Sequence, residues 1–201
     1  MKTKTESKRQ AIIKAAAEVF REFGFDRASM SDIRERLGGS KATLYNYFPS
    51  KEKLFFEVMH QAKEAELETI AGELDADTDD IRRELTHFGL KFLTVLYSAD
   101  AIAVRRLTIA ESRHSDIGRL SFEQAVVPIE KQVAEFLRKA MKRGLLRAAD
   151  SKVAAMHMLS LLESELLQRL LLGVIDSVKP ETISAAVRRA VDVFLYGYER
   201  R

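Results

Sequence analysis

Residues 29–48 read SMSDIRERLGGSKATLYNYF, which predicts two short helices separated by a Gly-Gly break. Ser29 and Asp32 have the spacing of a capping box at the start of the first helix. Gly38 can adopt the left-handed conformation that ends this helix, and Ser40 can cap the next one. Two short helices joined in this way are typical of a helix-turn-helix, in which the second helix presents its N-terminal end to the base edges of DNA.

The residues predicted to contact DNA lie at the helix starts and along the second helix. Lys41, Thr43 and Tyr45 are expected at the DNA surface, because they follow the start of an exposed helix. For Tyr45 and Tyr47, packing within the protein is the alternative interpretation. The full predicted set is Ser29, Tyr47 and Lys51 on phosphates, together with Ser31, Ser40, Lys41, Ala42, Thr43, Tyr45 and Asn46.

The sequence around this motif carries a family resemblance. FREFGF at 20–25 ends an amphipathic helix, and FPSKEKLF at 48–55 begins another. Over residues 8–56 the chain resembles the DNA-binding domain of the TetR family of bacterial repressors, with Arg34 in place of the usual Ala and Gly39 in place of the usual Val. The resemblance implies a homodimer that binds double-stranded DNA and responds to a small-molecule effector.

The composition fits a globular protein without disulfide bonds. The chain has 201 residues, of which 46% are hydrophobic and 31% charged, and it has no cysteine. Residues 1–55 hold 12 Lys and Arg against 7 Asp and Glu, whereas the remainder holds 21 against 23. The basic N-terminal part suits phosphate contact. Without a signal peptide or a run of about 20 apolar residues, we expect a cytoplasmic protein with no membrane partner.

The periodicity of apolar residues predicts an all-α fold with two domains. Residues 1–50 are expected to form a three-helix, helix-turn-helix DNA-binding head, and residues 51–201 a helical-bundle body for ligand binding and dimerisation. The predicted helices cover 7–23, the two halves of 29–48, 51–74, a segment from 81, and a segment capped by Asp100. Residues 116–143 are predicted to form one or two helices with a bend at Pro128, followed by helices over 151–172, capped by Asp150, and 180–198, with Pro180 in its first turn.

The last two predicted helices are more apolar than a single core-facing stripe requires. This excess fits either a deep core within one chain or a four-helix bundle between two chains. Because two-fold operators match two-fold proteins, a homodimer is the preferred hypothesis. The residues predicted to form its interface are Leu162, Leu166, Val187, Ala190 and Phe194.

A possible effector site lies in the middle of the body. The segment RRLTIAESRH at 105–114 resembles the inner helix of AefR-like TetR ligand domains, which commonly enclose an effector pocket. The aromatics near it could equally be plain core, and His114 and His157 could be core histidines. The predicted ligand-binding residues are Phe88, Phe92, Arg106, Glu111, His114, Phe122 and His157.

Two other functions remain open from the sequence. Three Glu-x-x-His pairs, Glu57 with His60, Glu84 with His87 and Glu111 with His114, have the spacing of di-iron ligands in helical bundles. Two of these pairs are predicted to face solvent, so a metal enzyme is the lesser hypothesis, and we expect no catalytic residues, metal or cofactor. The third possibility is a DNA-binding regulator without an effector.

Overall fold

The computed structural model describes residues 2–113 and 117–200, apart from the side chains of residues 2–5, 25–26, 52, 60–64, 111 and 117. This part of the chain is helical, and its β pairing is an isolated bridge between Leu146 and Glu199. The helices are α1 (Lys2–Arg27), α2 (Met30–Leu37), α3 (Lys41–Tyr47), α4 (Lys51–Gly72), α5 (Ile81–Leu96), α6 (Ala99–Glu111), α7 (Ile117–Ser121), a π-helical turn (Phe122–Val126), α8 (Val127–Lys142), α9 (Ser151–Glu163), α10 (Leu167–Leu171) and α11 (Pro180–Tyr198).

The chain divides into two compact units, Met1–Ala62 and Lys63–Arg201, which we call the head and the body. The division falls inside α4, later than the boundary after residue 50 that the sequence predicted. The physical reason is that Leu54 and Val58, from the first half of α4, belong to the core of the head. The start of α4 is therefore a structural part of the DNA-binding unit.

The head packs around side chains that the helical periodicity places on inner faces. Ile12, Ala16 and Val19 of α1 are buried together with Ile33 of α2 and Leu44 of α3. Helical hydrogen bonding in α1 continues to Arg27, but the backbone leaves the helical conformation at Gly24, where φ is 73°. The predicted helix end at Gly24 therefore corresponds to a break in α1.

Among the described residues of the body, α5, α8, α9 and α11 contribute buried side chains to a large core. α11 packs against both α5 and α9, and α8 packs against α9. Asp150 caps α9 and Pro180 lies in the first turn of α11, as predicted. The sequence prediction of an all-α fold is confirmed.

Two predicted helices of the body are interrupted. The sequence predicted a bend at Pro128. The structure has a π-helical turn just before this proline, in which the Val127 N–H donates to the carbonyl of Phe122. Pro128 then lies in the first turn of α8, where its missing N–H costs little. The predicted helix 151–172 ends at Glu163, and the Ser164 hydroxyl donates to the carbonyl of Leu161 at 2.8 Å.

The prediction that Asp100 caps the sixth helix is wrong. The cap is Ser98, whose hydroxyl accepts from the backbone N–H of Ala101 at 3.4 Å, and Asp100 lies in the first turn. An acidic residue in the first turn of a helix is favourable because it faces the positive end of the helix dipole. Within the described ranges, none of the helices has both the length and the apolar character that crossing a membrane requires.

Candidate functional site

The helix-turn-helix is held in place by side chains that cap both of its helices. The Ser29 hydroxyl accepts from the N–H of Asp32, and the Asp32 carboxylate accepts from the Ser29 N–H at 2.9 Å, which confirms the predicted capping box. Gly38 ends α2 with φ 68°, and the Ser40 hydroxyl accepts from the N–H of Thr43 at 3.1 Å. The turn geometry therefore follows from four local residues.

The capping box also changes the acidity of its carboxyl group. Hydrogen bonds from the Ser29 hydroxyl, at 2.7 Å, and from the Ser29 N–H hold the pKa of Asp32 below its ordinary value. The carboxylate form is thus favoured at the N-terminus of α2. Its negative charge also faces the positive end of the helix dipole.

Ion pairs join the helix-turn-helix to the rest of the head. The Arg36 guanidinium of α2 lies 2.5 Å from the Glu22 carboxylate and 3.5 Å from the Glu18 carboxylate, both on α1. The Arg9 guanidinium lies 2.7 Å from the Glu57 carboxylate of α4. These contacts connect α2 and the start of α4 to α1.

α3 exposes one face of small and polar side chains and buries the other. Leu44 and Phe48 are in the core, whereas Lys41, Ala42 and Tyr45 are exposed. The Lys41 ammonium lies 5.8 Å from the centre of the Tyr45 ring, a cation–π distance. This exposed face has the chemistry that the second helix of a helix-turn-helix uses to read bases.

The other residues predicted to contact DNA have varied surroundings. Ser31, Ser40 and Asn46 are exposed, Thr43 is half-buried with its hydroxyl 2.8 Å from that of Ser40, and Tyr47 packs against the core of the head. The Lys51 ammonium donates to the carbonyl of Ala28 at 3.1 Å. Lys51 therefore has a structural role in tying the start of α4 to the turn before α2.

The described members of the predicted ligand-binding set lie in different surroundings. Phe88 and Phe92 are buried and stacked, with ring centres 5.4 Å apart. Arg106 donates to the carbonyl groups of Leu170 and Leu171. Phe122 is exposed, the His157 ring nitrogen Nδ1 lies 2.7 Å from the Tyr198 hydroxyl, and the Glu111 side chain and all of His114 lie outside the described residues.

The five residues predicted to form a dimer interface lie in the core of the single chain. Leu162, Leu166, Val187, Ala190 and Phe194 are each at most 5% exposed. Because their side chains are already covered by their own protomer, they have no surface with which to contact a second copy. Exposed apolar side chains occur elsewhere on α9 and α11 and include Val153 and Met156 of α9 and Val193 and Tyr196 of α11.

Two features of the body were missed by sequence reasoning. A groove of about 630 Å³ lies between α4 and α5; it is lined by His87, Leu90 and Thr94, among others, and Lys91 pairs with Glu73 across it at 2.7 Å. Lys91 lowers the pKa of Glu73. The second feature is a partly buried ion pair between Arg105 and Glu163, and the sequence signalled it only by an acidic residue within an apolar stretch.

The Glu-x-x-His pairs do not provide a metal site in the described part of the chain. There, no three His, Cys, Asp or Glu side chains are grouped in a way that could hold a metal ion. Glu84 accepts from the backbone N–H of Asp75 at 2.8 Å, and His87 lines the α4–α5 groove. The side chains of His60 and Glu111 and all of His114 lie outside that part.

A capped helix-turn-helix on a basic head, followed by a separate helical body, defines a DNA-binding protein of the helix-turn-helix class. Comparison with protein families agrees. Residues 12–58 match the model of the bacterial regulatory proteins of the tetR family, and residues 83–200 match the C-terminal domain of AefR-like transcriptional repressors. The chain belongs to the TetR family of DNA-binding transcriptional regulators.

Individual relatives support this placement. The HTH-type transcriptional regulator YvdT of Bacillus subtilis is 35% identical over 117 residues, which are 58% of this chain and 52% of YvdT. The chain thus spans about half the length of this curated relative. A TetR-family regulator from Mesorhizobium loti has a similar fold, with TM-score 0.76, 26% identity, and coverage of 98% of this chain and 100% of the other. The flavonoid-responsive regulator FrrA has TM-score 0.65, 30% identity, and coverage of 98% and 99%.

Proposed function

We propose that this regulator is a repressor that binds a palindromic operator as a homodimer and is released from it by a small-molecule effector. The observation that carries the DNA-binding part is the exposed face of α3, with Lys41, Ala42 and Thr43 at its capped start. Of these side chains, we propose Ala42 and Thr43 for contacts with base edges and Lys41 for contact with a phosphate. Ser29, Tyr47 and Lys51 remain the proposed phosphate contacts, although the Ser29 hydroxyl and the Lys51 ammonium also hold the head together.

The homodimer is supported by the outer surface of the last long helix. Val193 is 57% exposed and Tyr196 is 79% exposed. They follow Arg189 by four and seven residues, so the three side chains lie on one face of α11. Gly197 on the same face has open space where a Cβ would project, so another helix can approach it closely. On α9, Val153 and Met156 add exposed apolar surface.

We propose that two copies pair through these exposed stripes of α9 and α11, not through the five buried residues. Exposed apolar side chains that are grouped on a helix face commonly mark a contact with another protein. A second copy would remove it and would align two heads with two half-sites one helical turn of DNA apart. A regulator that contacts DNA in this way would act in the cytoplasm of a bacterium.

Effector control is supported by the body's resemblance to AefR-like repressors and by FrrA, which is described as flavonoid-responsive. For release, the effector must bind more tightly to a dimer whose head spacing does not fit the operator. Each tenfold difference in effector affinity between the two head spacings corresponds to about 1.4 kcal/mol of coupling free energy between effector and DNA binding. We propose a small, mostly apolar molecule as the effector.

DNase footprinting on the DNA upstream of the chain's own gene tests the proposed function, because regulators of this kind often lie beside the genes that they control. We expect two protected half-sites with two-fold symmetry and a centre-to-centre spacing of about one helical turn or a multiple of it. Protection should be lost when Thr43 is replaced by Glu, while a Glu at the exposed Arg188 of α11 leaves it intact. Binding without sequence preference would contradict the proposal.

A further inference from the structure

The orientation of α3 depends on contacts at its two ends. The helix has seven residues, so it is about 10 Å long and makes about two turns. A helix of this length is not stable by itself in water, and its neighbours decide where its exposed face points. Its start is held by Ser40, whose hydroxyl accepts from the Thr43 N–H. The contacts at its other end have the same importance for the exposed face.

α3 ends at Phe48. The Phe48 N–H donates to the carbonyl of Leu44 at 2.9 Å, and the Phe48 backbone is extended, with φ −134° and ψ 102°. Pro49 follows, and a residue before a proline is disfavoured in the helical conformation, so the helix stops here. The Phe48 side chain is 5% exposed and belongs to the core of the head together with Leu44. A side chain that holds the Phe48 ring therefore also holds the end of α3.

Arg9 of α1 contacts this ring. Its guanidinium carbon Cζ lies 5.6 Å from the centre of the Phe48 ring, which is a cation–π distance. Its Nη2 atom lies 2.7 Å from the Oε1 atom of Glu57, in the first half of α4. Arg9 precedes the buried Ile12 by three residues and so lies at the edge of the buried face of α1. One planar guanidinium thus connects α1 to the end of α3 and to α4.

The ion pair with Glu57 limits what the charge of Arg9 can do. The Arg9 side chain is 33% exposed and that of Glu57 is 21% exposed. A carboxylate at 2.7 Å already acts as the counterion of the guanidinium, so Arg9 would release little additional counterion from DNA. Lys41, by contrast, lies on the exposed face of α3 itself. Arg9 is therefore suited to hold the head together and not to neutralise a phosphate.

From these contacts we infer that Arg9 is a positioning residue for DNA recognition. It holds the Phe48 ring against α1 and so sets the angle at which α3 meets the bases, without contacting DNA itself. Side chains that read a ligand act well only when a supporting layer of residues holds them to within about 0.5 Å. The inference rests on the proposed use of α3 to read bases, but not on the homodimer or the effector.

Fluorescence anisotropy titrations of the full chain, on the footprinted operator and on a mismatched duplex, test this role. Arg9→Met keeps a long side chain but removes the charge and the planar group. We expect it to weaken operator binding about tenfold, while binding to the mismatched duplex stays within about twofold and the slope of log K against log salt is unchanged. Arg9→Lys keeps a cation near Phe48 and Glu57 and should recover most of the operator affinity.

Arg21→Met is the matched control, because it removes a positive charge from an exposed position of α1. It should leave the ratio of operator affinity to mismatched affinity as in the wild type. A double-mutant cycle with Phe48→Leu tests whether Arg9 acts through the ring: in the Phe48→Leu background, Arg9→Met should weaken operator binding by less than about threefold.

Far-UV circular dichroism verifies that each variant is folded. If Arg9→Met is not, Glu57→Gln replaces it, since this change removes the charge that holds Arg9 and leaves the Phe48 ring in place. We expect Glu57→Gln to weaken operator binding about threefold at an unchanged salt slope.

A salt slope reduced by about 1, with equal losses on both duplexes, would show that Arg9 contacts a phosphate and would overturn the inference. Unchanged operator affinity in a folded Arg9→Met variant, or full additivity with Phe48→Leu, would overturn it as well. If Thr43→Glu leaves operator binding intact, the proposed use of α3 fails. If Thr43→Glu abolishes operator binding and Arg9→Met has no effect, only the positioning role fails.

Discussion

Gly89 of α5 lies so close to Val187 of α11 that a Cβ added to Gly89 would be 2.8 Å from the Val187 Cγ1 atom. The Leu162 Cδ2 atom of α9 would be at the same distance from that Cβ. Real Cβ atoms do not approach other carbon atoms so closely, so Gly89 sets the spacing of three helices. This contact fixes the inner face of α11 and leaves Val193 and Tyr196 on its outer face.

Gly89→Ala is therefore expected to destabilise the body by overpacking, with a loss of about 1–3 kcal/mol in the free energy of unfolding. Urea unfolding followed by circular dichroism measures this change. Gly72→Ala is the matched control, because its Cβ would be at ordinary contact distance, 3.6 Å from Gln132 Oε1. Equal stability of the two variants would show that the three helices do not meet tightly at Gly89.

Val193→Glu should produce a folded monomer. Val193 is exposed in the single chain, so a charge there is tolerated by the fold but would be buried in the proposed dimer. Sedimentation velocity and far-UV circular dichroism together measure assembly and folding. Arg188 is exposed and lies about 140° around α11 from Val193, so Arg188→Glu is the control and should stay dimeric. By contrast, Phe194→Glu should disrupt the fold itself, since Phe194 is 1% exposed.

Ser29→Ala should destabilise the head by about 1 kcal/mol, because it removes the N-cap of α2. Ser31→Ala, at an exposed position in the same helix, should have little effect on stability. Hydrogen exchange of the α2 backbone amides measures the difference. If both variants exchange alike, the capping box does not stabilise the helix.

The same capping box predicts how the head responds to acid. Because Ser29 lowers the pKa of Asp32 in the folded state, this contribution to stability is present above the ordinary pKa of 3.8 and is lost as the pH falls through the lower, folded value. The wild-type head should therefore lose stability more steeply than Ser29→Ala over that range. Thermal unfolding between neutral and acidic pH, followed by circular dichroism, provides the test.

Thr43→Ala and Lys41→Ala should affect DNA binding in different ways. Thr43, next to the capped start of α3, is expected to contact a base edge, so its loss should mainly change sequence preference. Loss of Lys41 should weaken binding to all sequences and reduce the slope of log K against log salt by about 1. Fluorescence anisotropy titrations on an operator and on a mismatched duplex, at several salt concentrations, distinguish the two. Identical effects of both variants would contradict these roles.

The sequence by itself determined the head and the overall helical character. Caps depend on residues that are three positions apart, such as Ser29 with Asp32 and Ser40 with Thr43, so they are readable from short stretches. The helical periodicity likewise identified the buried residues of α1, α2 and α3. Local chemistry decides these features almost alone.

Only the tertiary structure decided how the apolar helices of the body use their surfaces. Phe194 and Tyr196 lie two positions apart on one apolar helix, yet one is buried and the other is exposed, because α5 and α9 cover only one side of α11. The ion pair between Arg105 of α6 and Glu163 of α9 likewise depends on helices that are far apart in the chain. Helical periodicity shows that a surface is apolar, but which neighbour covers it is fixed only when distant segments pack together.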